Sequence, residues 1–129
     1  MIKKITFVTG TRADFGKLKS LIKISQKSKK FIVDVFVTGM HLDERYGLTI
    51  NEIYKSDIEN INKFVNHSDS LDIHMDRILA KTIDGFSEYL IKNKPDLVVV
   101  HGDRVEALAC AISSSLNNTL VAHIEGGEI

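Results

Sequence analysis

Leu97-Val98-Val99-Val100-His101-Gly102-Asp103 decides the fold class. Leu97 to His101 shows no polar alternation, the pattern of a strand covered on both faces. Gly102-Asp103 then opens a helix with Val105, Leu108, Ala109, Ile112 and Leu116 on its apolar side. Just upstream, Lys94-Pro95-Asp96 stops the preceding element, because proline cannot continue a helix and biases the residue before it towards extended geometry. That element is the clearest helix of the chain: Leu71, Met75, Ile78, Leu79, Ile83, Phe86, Leu90 and Ile91 recur at three- and four-residue spacing. Downstream, Leu120 to Ile124 reads as a further strand running into Glu125-Gly126-Gly127-Glu128.

The same alternation extends back to the amino terminus. Ile5 to Thr9 is a short β-branched and aromatic strand ending at Gly10, and residues 15–29 form an amphipathic helix on Leu18, Leu21, Ile22 and Ile24. Phe31 to Thr38 is a second strand, closed by Gly39. Met40 to Tyr46 reads as a loop, Leu48, Ile50, Ile53 and Tyr54 as a short helix, Ile58 to Val65 as a third strand, and Asn66 to Ser70 as a loop. Strands that alternate with helices and are themselves uniformly apolar mean an α/β, Rossmann-like parallel sheet with helices on both faces. The expected strand order is 3-2-1-4-5. Crossover connections bring the carboxyl ends of all strands to one edge, where such sheets bind ligands. The polar residues beside Gly10, Gly39, Gly102 and Gly126 are therefore expected to share one crevice.

Length and composition fit one domain, 1–129. The 129 residues are 43% apolar, enough for a core, and carry 17 basic and 17 acidic side chains. That balance argues against a nucleic-acid or anionic-membrane partner, and no apolar stretch has the length of a membrane span or signal peptide. Cys110, the lone cysteine, cannot close an internal disulfide and falls on the apolar side of its helix. A cytoplasmic globular chain is expected.

Three motifs lie at the expected ligand edge. Gly10-Thr11-Arg12-Ala13-Asp14-Phe15-Gly16-Lys17-Leu18 is no phosphate loop: its glycines stand one residue too far apart, and Leu18 occupies the place of the magnesium-binding hydroxyl. Two readings stay open: phosphate held at a helix amino terminus with help from Arg12 and Lys17, or an ordinary turn with Asp14 capping the helix. In His101-Gly102-Asp103-Arg104-Val105-Glu106, Asp103 and Glu106 have the spacing of a capping box. Asp103 at the end of a central strand, beside Arg104, equally suits a tuned acid or base. In His123-Ile124-Glu125-Gly126-Gly127-Glu128 a carboxylate follows an apolar strand, and its glycines permit close approach of a ligand; the alternative is a solvated loop. The histidines make no metal site: His67 and His74 have six residues between them, and His101 and His123 lie on different strands without ligand spacing around them.

Taken in order, these motifs resemble the amino-terminal domain of UDP-N-acetylglucosamine 2-epimerases. Thr11-Arg12-Ala13-Asp14, His101-Gly102-Asp103-Arg104 and His123-Ile124-Glu125-Gly126-Gly127-Glu128 are similar to the hydrolysing branch. The other branch typically has proline and glutamate after the first arginine, threonine after the aspartate, and an alanine-glycine pair after the glutamate. The resemblance implies a GT-B-type fold of two Rossmann-like halves with the active site between them. Two halves need upward of about 300 residues, so this chain is expected to be an incomplete amino-terminal half, without the half that supplies most uridine and diphosphate contacts.

The resemblance also implies roles. Asp103 and Glu125 are the catalytic carboxylates, and Arg12, Ala13, Lys17 and Arg104 are substrate-binding. The implied reaction converts UDP-N-acetylglucosamine, or a related UDP-2-acetamido sugar, and water into N-acetylmannosamine, or a related sugar, and UDP. A base removes the C2 proton as UDP leaves C1; water then adds to the 2-acetamidoglucal, and a proton returns to C2 from the opposite face. No metal or cofactor is implied, the isolated chain is expected to be inactive, and self-association through an open sheet edge is an expectation. The alternatives are a GT-B glycosyltransferase domain, which would transfer the sugar without inverting C2, or a non-catalytic nucleotide-sugar-binding remnant.

Overall fold

The computed structural model describes residues 2–43, 47–66 and 74–125. Strands β1 (Lys3–Thr9), β2 (Phe31–Val37), β3 (Ile61–Lys63), β4 (Leu97–His101) and β5 (Leu120–Ile124) pair in parallel in the order β3-β2-β1-β4-β5, as the sequence predicts. Helices α1 (Arg12–Lys27), α2 (Ile50–Tyr54), α3 (Met75–Asn93) and α4 (Val105–Leu116) connect them.

Strands β1, β2, β4 and β5 contribute to two cores because successive side chains point to opposite faces. Ile5, Phe7, Val33, Val35, Val37 and Val99 pack with Phe15, Leu18 and Ile22 of α1 and Ile50 and Ile53 of α2. Val8, Phe36, Val98 and Val100 pack on the other face with Phe86, Tyr89 and Leu90 of α3 and Ala107 and Cys110 of α4. That sandwich is why the strands read as continuous apolar runs. Cys110 is a core residue, fully buried, and burial raises its thiol pKa.

Several boundaries differ from the sequence reading. α1 begins at Arg12 rather than residue 15, because Thr11 is its N-cap: the Thr11 hydroxyl accepts from Asp14 N, and Asp14 Oδ2 accepts from Thr11 N. Asp14 is thus the reciprocal residue of the capping box, not the cap. Met40 lies in a single 3-10 turn, Gly39–Leu42, rather than a plain loop, while residues 44–46 lie outside the described residues. β3 is only three residues long. The expected start of α3 at Leu71, with His67 and the rest of 67–73, also lies outside the described residues. Lys94, before Pro95, is left-handed (φ 48°, ψ 58°) rather than extended, because its N–H closes α3 on the Leu90 carbonyl at 2.8 Å. Leu108 and Leu116 of α4 are exposed, so the buried side of that helix is carried by Ala107, Ala109, Cys110, Ser113 and Ser114.

Register positions the ligand edge. Thr9 pairs with Val37 and His101 with Ile124, so β1 ends level with β2 and β4 level with β5. The turns after Thr9, Val37, His101 and Ile124 accordingly open side by side.

Candidate active site

Two of the turns touch directly. Gly39 has φ +63°, and a Cβ there would sit 2.8 Å from the Gly10 carbonyl oxygen and 3.2 Å from Glu106 Cδ. Only glycine fits such a backbone and such an approach. Beneath the two turns the buried Glu106 carboxylate accepts from Asn66 Nδ2 at 3.0 Å and from Arg104 Nε at 3.1 Å. Asn66, also buried, accepts from Gly39 N through its carbonyl and donates its second amide hydrogen to Thr82 Oγ1. Every polar atom of that amide is satisfied, as burial demands.

His41 closes the site on the β2 side. Thr9 Oγ1 donates to the Thr11 carbonyl and so accepts from His41 Nε2 at 2.8 Å, which leaves Nδ1 to accept from Thr49 Oγ1 at 2.8 Å. A neutral ring satisfies both contacts, and burial lowers its pKa to about 4.

The open side carries the ionisable groups. Asp14 Oδ2 accepts from the N–H of Gly10 at 3.0 Å and of Thr11 at 3.1 Å, and Oδ1 lies 2.7 Å from His101 Nδ1. His101 Nε2 in turn lies 2.9 Å from Glu125 Oε2, and Glu125 Oε1 is 3.2 Å from Lys17 Nζ. Burial lowers the His101 pKa, but the hydrogen bonds and charges of Asp14 and Glu125 outweigh it, and the net shift is upward. The hydrogen bond from His101 and then the Lys17 ammonium hold the Glu125 carboxyl below its ordinary pKa. Glu125 is left-handed at φ 57°, a conformation non-glycine residues seldom keep and one that recurs at functional positions. The neighbouring backbone is fixed by Gly102 N donating to the Ile124 carbonyl and His123 Nε2 donating to the Gly102 carbonyl.

The expected site residues separate into two groups. Lys17 and Glu125 meet directly. Arg12 points instead to Glu52 of α2, at 3.0 Å, with both side chains largely in solvent. Ala13 is exposed on the first turn of α1, and Arg104 rests on Glu106. Asp103 is exposed and makes no hydrogen bond or ion pair among the described residues. The capping-box reading of Asp103 and Glu106 does not hold: the N-cap of α4 is Arg104, without a side-chain cap bond, and Glu106 turns into the core towards Asn66. Gly126, Gly127 and Glu128 lie outside the described residues.

Asp14, His101 and Glu106 are the site residues that the motif reading left without a role in binding or chemistry. The signal for His101 was its place at the last position of a central strand, one residue before the glycine turn. Among the described residues, no three His, Cys, Asp or Glu side chains gather as a metal site, and no helix is long and apolar enough to cross a membrane.

Comparison with known proteins places this geometry in a family. Residues 23–129 match the profile of the family described as UDP-N-acetylglucosamine 2-epimerase. Over 99% of the chain it is 40% identical to the UDP-N-acetylglucosamine 2-epimerase of Neisseria meningitidis serogroup B. It is equally 40% identical, over 99% of the chain, to the hydrolysing UDP-N,N'-diacetylbacillosamine 2-epimerase of Legionella pneumophila. The chain spans about a third of the length of these relatives, 33% and 34%. A crystal structure of the Neisseria meningitidis enzyme bound to UDP-GlcNAc superposes with TM-score 0.80 at 25% identity, covering 97% of this chain and 32% of that one.

Proposed function

The chain belongs to the UDP-N-acetylglucosamine 2-epimerase family, and from that premise we propose that residues 1–129 form one Rossmann-like domain supplying the acid-base side of a hydrolysing sugar-nucleotide 2-epimerase. The observation that carries this reading is Glu125: a left-handed, solvent-facing carboxylate beyond β5, held by His101 and Lys17 at the shared strand edge. In the proposed site Glu125 and Asp103 are the catalytic carboxylates. A base removes the proton at C2 while UDP leaves C1, and an acid returns a proton to C2 as water adds, so two carboxylates suit the inversion. Arg12 at the amino-terminal turn of α1, Lys17 on its second turn, and Arg104 at the amino-terminal turn of α4 bind the diphosphate and sugar. Arg12 must leave Glu52 to do so, which costs little because both groups are solvated.

The sugar is assigned as a UDP-2-acetamido sugar rather than one compound, since relatives named for two different sugars are equally similar. Proton NMR in deuterated water tests the reading with UDP-N-acetylglucosamine and its 2,4-diacetamido-trideoxy analogue. Chemical-shift changes at Arg12, Lys17, Arg104 and Glu125, with free UDP and a C2-inverted, C2-deuterated sugar as products, are expected of the active protein. An inverted sugar still bound to UDP would overturn the hydrolysing assignment. Absence of shift changes at these four residues would overturn the binding site.

A further inference from the structure

We infer that Asp14 and His101 act as a positioning pair for Glu125: Asp14 fixes His101 with its proton on Nδ1, and His101 Nε2 supplies Glu125 with the proton it donates. The argument begins with Asp14. Its Oδ2 accepts from two backbone N–H donors, which turns Oδ1 onto the ring as an acceptor and places the hydrogen of the 2.7 Å contact on His101 Nδ1. A neutral ring in that tautomer presents a lone pair at Nε2. Glu125 Oε2, 2.9 Å away, also presents lone pairs, so the contact attracts only when a proton lies between them.

His101 and Glu125 therefore share one proton, as imidazolium with carboxylate or as imidazole with carboxylic acid. The groups facing the pair decide where it rests. From α1 come Asp14 against the ring and Lys17 against Glu125; beyond β5 stands Glu125 itself, and His123 spends its Nε2 hydrogen on the Gly102 carbonyl. Asp14 favours a cationic ring and Lys17 an ionised Glu125, so the proton rests on His101. The upward shift of His101 and the downward shift of Glu125 agree with that placement.

In the reaction under Proposed function, on which the catalytic part of this inference rests, Glu125 is then the proton donor. The Nε2–H bond breaks as an O–H bond forms on Glu125, and that O–H breaks as C2–H forms on the glycal. Water adds at C1 and releases its own proton to solvent. The ring is left neutral on Nδ1–H and is reprotonated from solvent through the exposed Glu125.

Long-range nitrogen–proton NMR of the His101 ring in this chain, followed over pH, tests the pair without any turnover. The expected wild-type ring is doubly protonated to a higher pH than in the urea-unfolded chain, and keeps its last proton on Nδ1. Asp14→Asn, which retains an oxygen for the backbone donors, should reverse the tautomer to Nε2–H and lower the midpoint. Glu125→Gln, at an exposed position, should lower the midpoint while leaving Nδ1–H. A wild-type neutral ring protonated on Nε2, or a midpoint unmoved by both variants, would overturn the inference. In turnover assays Asp14→Asn should lower kcat more than it raises KM and move the alkaline limb to lower pH, which a purely structural defect would not do. The expected ring spectra with no shift change at Arg12, Lys17, Arg104 or Glu125 on adding the UDP-sugar would leave the pair standing and remove the nucleotide-sugar reading; such shift changes with an Nε2–H ring would do the reverse.

Discussion

Two polar chains cross this sheet, and they end differently. Towards the amino ends of the strands, Thr6 donates to Tyr89, the Tyr89 hydroxyl donates to Asp34 at 2.8 Å, and Lys4 Nζ reaches both Asp34 and the Asn93 carbonyl. Each group there has its partner inside the fold, and burial pushes the Tyr89 phenol pKa upward. At the carboxyl ends, Asp14, His101, Glu125 and Lys17 form a chain of equal length that begins on buried backbone and finishes in solvent. The closed chain holds strands together. The open one leaves a carboxylate whose proton can be exchanged, which is what catalysis at a sugar carbon needs.

The comparison is broken most severely by Glu125→Gln. The exposed position predicts little change in stability. Where the protein turns over its nucleotide sugar, the rate should fall about 10²- to 10⁴-fold, measured by UDP release. Equal losses of stability and rate would place Glu125 in the structural class with Asp34.

His41 gives the next largest effect. Its folded pKa of about 4 lies below the ordinary 6.5, so the unfolded chain binds the extra proton between those values. Stability from this group is complete above pH 6.5 and is lost as pH falls towards 4, to a total of about 3 kcal/mol. His101 has the opposite sign: its folded pKa is raised, so its contribution is complete below the unfolded value and fades as pH rises through the folded one. Urea denaturation across pH should therefore show a loss on the acid side that His41→Gln flattens.

Tyr89→Phe removes the link between Thr6 and Asp34 and should cost about 1–3 kcal/mol while leaving the His101 tautomer untouched. Lys17→Met is the smallest change. Its ion pair is solvent-exposed, so stability should move by less than about 1 kcal/mol, yet diphosphate affinity should weaken, as calorimetry with UDP would show. A large loss of stability there would mean the open chain is structural after all.

Much of the fold was legible in the residues, for one reason. A run such as Leu97 to Val100 is apolar at every position because helices cover both faces of its strand, so periodicity reports topology directly. The strand order is not written in that pattern; it was expected from the Rossmann-like architecture and is the order observed. The edges of elements were less legible: capped by Thr11, α1 starts at Arg12, three residues before the expected residue 15, because capping depends on a hydroxyl and a backbone turn rather than on hydrophobicity.

At the candidate site, sequence by itself determined which turns would meet and that Asp103, Glu125, Arg12, Ala13, Lys17 and Arg104 would stand at or near them. Local spacing could not determine partners. Glu106 has the spacing of a capping residue and yet turns inward, because Asn66, forty residues earlier, offers it a buried donor. Asp14 has the spacing of a cap and also reaches His101, eighty-seven residues away. A side chain's second hydrogen bond is set by whichever group the tertiary fold brings within about 3 Å. Only the packed sheet, which sets β1 against β4 and β4 against β5, made Asp14, His101 and Glu125 one chain.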